Sequence, residues 1–198
     1  MEIGDVTKWN EVNGDNTLRL TYNLNQNSLV WDVGAYHGEW AQRIFSMFNC
    51  TVHCFEPIRS NFNHSLMKFG RNRKMVWHDF GLNNFNGPIE IFEDKNCSSS
   101  HIEGGNRETV QMKDVIHFWN LEGKPVIDLV KLNIEGDEYN VLNRLIDYGI
   151  IDQFKEIQVQ FHKIEGYDEK YTEIVSKLSN THNRTYHYPW VWENWKLK

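Results

Sequence analysis

The stretch SLVWDVGAYHGEWAQRIF, from Ser28 to Phe45, restricts the fold of this chain more than any other. It opens with LVWDV, a short apolar run of the kind that a strand buried on both faces shows. It breaks at Gly34 and Gly38, then resumes with Trp40, Ala41, Ile44, Phe45 and Phe48 at helical spacing. Glycines between a buried strand and a helix have two readings. One is a tight strand-to-helix turn; the other is a place where something approaches the backbone closely.

The same alternation continues down the chain. TVHCFEP reads as a second strand ended by Pro57. IRSNFNHSLMKFG reads as a helix with Phe62, Leu66 and Phe69 on one face, closing at Gly70. KMVWHDFG is a third strand, and NGPIEIF a turn followed by a strand. Residues 94–107 are the best loop candidate, and ETVQMKDVIHFWN gives a strand and a short helix. VIDLVKLNIEG is a fourth buried core strand. The helix DEYNVLNRLIDYG after it turns Val141, Leu142, Leu145, Ile146 and Tyr148 toward a core. EIQVQFH alternates as a fifth strand that His162 ends, DEKYTEIVSKLSNTH is an amphipathic helix, and TYHYPWVWENW closes as an aromatic strand pair. The pattern predicts an α/β fold: a mostly parallel sheet with helices on both faces and an antiparallel C-terminal strand. Residues 30–198 form one domain in this reading. Residues 1–29 are a polar extension in which TLRLTYNL is a short exposed strand or part of a hairpin.

Composition narrows the partners. With Lys+Arg 21 against Asp+Glu 27, the net charge of -6 argues against a nucleic-acid partner bound through phosphate neutralisation. The basic group Arg71, Arg73 and Lys74 sits near a predicted helix end, where cations favour the helix dipole. Three cysteines and no signal-like N-terminus point to a reducing, cytoplasmic setting, and no apolar run is long enough to span a membrane. Cys50, Cys54 and His53 can be read as metal ligands or as part of a buried strand. No second cysteine pair at zinc spacing follows, so no metal site is predicted.

In parallel α/β sheets the ligand crevice lies at the carboxyl ends of the strands, where Gly34 and Gly38 fall. Glu56 ends the next strand, and an acid there can accept hydrogen bonds from two ribose hydroxyls. Strand, glycine turn, helix, strand and acid make a nucleoside-binding unit. A dinucleotide loop usually carries G-x-G-x-x-G, but here Tyr36 stands at the second glycine, and Asp32 and Glu39 place negative charge beside the loop. Acids suit the sulfonium and amino groups of S-adenosyl-L-methionine better than they suit a pyrophosphate.

VWDVGAYHGEW, VHCFEP, FGLNNFNGPIEIF and IDLVKLNIEGDEYNVL, taken in order over roughly residues 30–162, resemble the FkbM family of class I S-adenosylmethionine-dependent methyltransferases. Lys131 to Glu138 are similar to the family signature K-I-D-x-E-G-x-E. The tail IQVQFH … YPWVWENW looks like that of a branch tied to surface-polysaccharide gene clusters. The resemblance implies a Rossmann-like fold and a sugar or polysaccharide precursor as the small-molecule or glycan acceptor. It implies that Asp32, Gly34, Tyr36 and Gly38 form the loop around the methionine moiety, that Glu56 with Pro57 holds the ribose, and that Asp79 and Phe80 lie by the adenine. Asp79 also reads as a turn residue before Gly81. The family often has Asn at Tyr36 and usually Asp at the cofactor-binding position Asn133, so the change there removes an anionic ligand or base from the carboxyl end of the fourth strand.

Transfer to a hydroxyl needs a group that removes its proton. Asn133 has no proton to exchange. Glu135 can be that base or the cap of the helix beginning near Gly136. His162 can be the base or a polar strand terminus. Trp190, Trp192 and Trp195 can stack on a sugar face or pack in the core. Two alternatives stand beside O-methyl transfer: a non-catalytic cofactor-binding partner in glycan assembly, which Asn133 favours, and a nicotinamide-dependent oxidoreductase.

Overall fold

The computed structural model describes residues 5–94, 97–99 and 106–198. Among the described residues seven strands form the main sheet, in the order His182–Tyr188, Trp192–Leu197, Glu156–Val159, Leu129–Leu132, Leu29–Val33, Thr51–Phe55, Met75–His78. Its parallel centre consists of β1 (Leu29–Val33), β2 (Thr51–Phe55), β3 (Met75–His78), β8 (Leu129–Leu132) and β9 (Glu156–Val159). The C-terminal hairpin of β10 (His182–Tyr188) and β11 (Trp192–Leu197) adds to one edge, with β11 antiparallel to β9.

Each crossover helix has a buried stripe against one face. On one side lie α4 (Val115–Leu121), α5 (Glu138–Asp147) and α6 (Asp168–Thr181), packed on Trp31, Val33, Phe55, Val130, Leu132, Ile157 and Val159. On the other side α2 (Glu39–Phe48) and α3 (Arg59–Phe69) cover Val30, Val52, Cys54 and Leu129. Consecutive strand residues point to opposite faces, and both faces are covered, so β1 is apolar without alternation.

Several sequence expectations change. Strand and helix do not alternate between residues 81 and 114. There β4 (Gly81–Asn83), β5 (Gly87–Asp94), β6 (Cys97–Ser99) and β7 (Asn106–Asp114) follow one another and form a separate sheet in the order β4-β7-β5-β6. Part of the expected 94–107 loop is therefore strand, and the rest of it lies outside the described residues. Tyr148, the residue just past the end of α5, is 50% exposed and does not join the core. On α3 the inward line is Phe62, Ser65 and Phe69, of which Ser65 is buried and the two rings half-buried, and Leu66 is left exposed.

The N-terminal segment departs furthest from expectation. Val6–Glu11 is a helix, α1, and the TLRLTYNL stretch is turn and irregular chain, not strand. Its role follows from the face of the sheet beneath it. Register pairs Cys54 with Asp32, Asp32 with Lys131, Lys131 with Gln158 and Gln158 with Asn194. These five residues make a buried polar row across the middle of the sheet. Arg19 and Tyr22 settle on it. Gln158 Nε2 donates to the Arg19 carbonyl (3.2 Å) and to the Tyr22 hydroxyl, and Arg19 Nε donates to Gln158 Oε1 (3.4 Å). Trp40 Nε1 donates to the same Arg19 carbonyl at 3.1 Å, and the Arg19 guanidinium lies 4.0 Å over the Trp192 ring. A buried amide left without partners costs about 1–3 kcal/mol. Gln158→Leu removes the donor that ties the segment down, so it is expected to lower unfolding free energy by about 1–3 kcal/mol in urea denaturation.

Candidate functional site

The carboxyl ends of the parallel strands bring Gly34–Gly38, Glu56–Ile58, Asp79–Phe80, Asn133–Glu135 and the chain after Val159 to one edge. The two glycines answer to the protein's own packing. Gly34 has φ +80, and a Cβ on it would meet the Asn133 carbonyl oxygen at 2.0 Å. Gly38, also at φ +80, lies against the Trp77 ring, 2.7 Å from where its Cβ would be. The close approach that these positions require is that of β8 and of Trp77.

Asp32 does not line the crevice. It is fully buried, and Lys131 Nζ donates to its Oδ1 at 2.9 Å and to the Gly34 carbonyl at 2.7 Å. Burial pushes the Asp32 carboxyl up, against the pull of Lys131. Its Oδ2 is buried with no hydrogen-bond partner. The lysine in the signature stretch thus anchors the glycine turn from beneath. Register could have revealed it, since a lysine at the centre of an otherwise apolar strand needs an acid directly across, and Asp32 is its β1 neighbour.

Glu56 is the turn's second anchor. Oε2 accepts the Tyr36 N–H at 2.8 Å and Oε1 the Ile58 N–H at 3.0 Å. Burial raises its pKa to about 7, opposed by those same hydrogen bonds. Tyr36 holds φ 50 with its ring 56% exposed and stacked on His37 at 3.7 Å, and its carbonyl accepts from Ser65 Oγ. Asp79 and Phe80 part company. The Asp79 side chain is 56% exposed and pairs with Arg59 at 3.1 Å. Phe80 is buried among Phe55, His78 and Phe118, with the Lys113 ammonium 3.9 Å over its ring. Cys54 and His53 lie on β2; Cys54 is buried, and His53 Nδ1 meets His78 Nε2 at 3.2 Å. Among the described residues no cluster of three metal-ligating groups occurs.

Three residues converge where β8 and β9 end. β9 stops at Val159, so His162 lies beyond the strand. Its Nδ1 is 2.9 Å from Glu138 Oε1 and its Nε2 3.3 Å from Glu135 Oε2. Tyr139 Oη donates to the His162 carbonyl at 2.8 Å. Glu138, fully buried, also accepts the Ile134 N–H (2.7 Å) and the Gly136 N–H (2.9 Å). The loop's capping acid is therefore Glu138, and Glu135 faces His162 instead. Burial alone would lower the imidazole pKa, but the bond and charge of Glu138, aided by Glu135, lift it above the ordinary 6.5. Burial raises the Glu135 carboxyl, against the pull of His162. Residue type gave no hint of Glu138's role; what could have found it is the three-residue reach from Glu135 to Glu138 around the bend at Gly136.

The site fits an adenosyl cofactor in two respects. Each Glu56 oxygen accepts one backbone N–H, the Asn61 side chain also reaches the carboxylate, and the lone-pair capacity left over suits a ribose hydroxyl. Asn133 Oδ1 is a buried acceptor without a partner at the same edge.

Comparison with known proteins fixes the class. The family model for the methyltransferase FkbM domain matches residues 32–188. The chain belongs to the FkbM methyltransferase family, and its methyl donor is S-adenosyl-L-methionine. That assignment favours methyl transfer over the nicotinamide alternative. The fold is similar to TrmK of M. capricolum in complex with S-adenosyl-homocysteine, at 10% identity over 93% of this chain and 68% of that one, TM-score 0.55. It is similar to an rRNA methylase of Streptococcus thermophilus at 9% identity over 93% of each chain, TM-score 0.53. It is also similar to the fibrillarin pre-rRNA processing protein of Methanococcus jannaschii at 10% identity over 89% of this chain and 69% of that one, TM-score 0.53. At these identities the likeness is one of fold. No curated protein matches the chain in sequence. Among the described residues no helix is long and apolar enough to cross a membrane.

The Lys131–Asp32 pair gives the sharpest stability test. Lys131→Met leaves the Asp32 carboxylate buried and the Gly34 carbonyl unpaired. It is expected to cost about 3–5 kcal/mol in denaturant unfolding, with much of that recovered in Lys131→Met/Asp32→Asn.

Proposed function

We propose that this protein transfers a methyl group to a hydroxyl of a sugar or polysaccharide precursor, with His162 as the base. The observation that carries the reading is the Glu138–His162–Glu135 arrangement at the ends of β8 and β9. When bound, S-adenosyl-L-methionine supplies a sulfonium methyl open to in-line displacement by an acceptor oxygen. Glu56 would hold the ribose, with Pro57 setting the chain's exit from β2, and Asn133 and the Gly34–Tyr36–Gly38 turn would face the methionine end. Asp32 acts through Lys131 and not by contact. The exposed Asp79 and the enclosed Phe80 would contribute at the rim and wall of the adenine side.

The family usually has an acid at Asn133, and this chain has none there. An acceptor proton therefore goes to a neighbour. Glu138, pinned by two backbone N–H groups, fixes the imidazole and favours the proton on Nδ1. Nε2 is then the nitrogen that takes a hydroxyl proton once it is itself unprotonated. Glu135, across from Nε2, sets how readily that happens. The same arrangement weighs against a purely cofactor-binding role, because a fully buried Glu138 paired with a half-buried His162 is costly to keep where no proton moves.

The cofactor reading is tested by proton release. Glu56 has a raised carboxyl at about 7, and hydroxyl donors stabilise its charged form. S-adenosylhomocysteine binding near pH 6 is expected to release a proton, seen in calorimetry as a heat that depends on buffer ionisation, and Glu56→Gln should lack it. The sign for stability is the reverse of the usual acid case. The folded pKa lies above the free value of 4.5, so Glu56 stabilises the unliganded protein below that value and loses its contribution as pH rises to about 7.

The base is tested by rate. His162→Ala is expected to lower turnover about 10²–10⁴-fold with cofactor affinity unchanged. The wild-type rate should rise with pH through a limb above 6.5, because the imidazole must lose its raised proton. Glu135→Gln should move that limb down. Turnover of RNA but of no glycan would sink the sugar assignment.

A further inference from the structure

The three C-terminal tryptophans are not equivalent. Trp192 and Trp195 are buried, at 5% and 2% exposure, one against Trp9 and the N-terminal segment and the other in the main core. Trp190 is half-buried and sits in the turn between β10 and β11, closed by the Val191 N–H to the Tyr188 carbonyl at 2.9 Å. Because β11 runs antiparallel to β9, with Glu193 opposite Val159, this turn lies beyond the carboxyl end of β9. That is the edge where His162 stands.

Two details mark Trp190 as more than a turn residue. Its φ is +59, a left-handed conformation that glycine or asparagine normally supplies in a reverse turn. A bulky residue held there is a genuine outlier, and such outliers cluster where a side chain must be aimed. Its ring also ends an aromatic series that begins beneath the base. Tyr139, which holds the His162 carbonyl, packs on Phe161 at 5.2 Å; Phe161 packs on Tyr171 at 5.2 Å, and Tyr171 on Trp190 at 5.1 Å. Lys163, next in chain to His162, has its ammonium 5.8 Å from the Trp190 ring centroid.

We propose that Trp190 is the acceptor platform: its indole takes the apolar face of a pyranose ring and so presents a ring hydroxyl to His162. The Lys163 ammonium beside it favours a sugar carrying a carboxylate. This inference rests on the sugar reading above and adds the residue that selects for it.

The probes are methyl α-glucopyranoside and methyl α-glucuronide, with S-adenosylhomocysteine present, observed by saturation-transfer NMR. Wild-type protein is expected to bind both, the glucuronide more tightly. Trp190→Leu keeps apolar bulk against Tyr171 but removes the flat face, and should bind both about tenfold more weakly. Trp190→Phe should restore most of the loss, and S-adenosylhomocysteine affinity should stay unchanged in both variants. If wild type binds the pyranosides and Trp190→Leu binds them equally, Trp190 is only a packing residue and the inference falls alone. If wild type binds S-adenosylhomocysteine but neither pyranoside, the sugar reading falls and this one with it. A Trp190→Phe variant as weak as Trp190→Leu would overturn the stacking role.

Discussion

The ion pair between Lys131 and Asp32 is the constraint on which the site's geometry depends. It joins two central strands at directly opposed positions, and the same ammonium reaches up to the Gly34 carbonyl. The turn it holds has no freedom elsewhere. Gly34 is pressed against the Asn133 backbone, Gly38 against Trp77, and the Tyr36 N–H is taken by Glu56. A charge pair in so dry a place adds little net stability over an apolar pair, but it fixes register and direction in a way that dispersion does not. The sheet centre thus gives up packing simplicity for a turn whose backbone has one shape.

The other half of the edge is organised by a single carboxylate. Glu138 gathers the N–H groups of Ile134 and Gly136 and the imidazole of His162. The chain it gathers is contorted, with Glu135 at φ 56 and Gly136 at φ 115. Left-handed backbone at a non-glycine residue persists only where its surroundings hold it, and here the surroundings are one buried side chain. Glu135 is aimed at His162 because Glu138 bends the loop beneath it.

Periodicity made the parallel core legible. The strand at Leu29–Val33, the helices at Glu39–Phe48 and Glu138–Asp147 and the C-terminal hairpin all stand where apolar spacing put them. Periodicity could not show that the 81–114 strands form their own sheet, because partner choice is a long-range property that strand pattern does not carry. It misread the N-terminal segment for a related reason: alternating TLRLTYNL looks like strand, but its residues are spoken for by Gln158, Trp40 and Trp192 far down the chain. Among the residues proposed for the site, Glu56 and His162 could be singled out by type and position. Lys131 and Glu138 need more than residue type: the strand register that sets Lys131 across from Asp32, and the bend at Gly136 that brings Glu138 back under Glu135.

The polar row across the sheet also bears on the order in which this molecule can be made. Arg19 and Tyr22 are synthesised well before Gln158 and Asn194, the groups they seal. Until β9 and β11 arrive, the segment has no surface to close, and the row it covers stays wet. The contacts that complete the core are thus among those of greatest sequence separation, and forming them carries the largest chain-closure cost. A chain that holds everything up to α6 already offers Gln158 to the segment, whereas Asn194 comes only with β11. β11 then closes the row, with Asn194 opposite Gln158 and within reach of the Tyr22 hydroxyl.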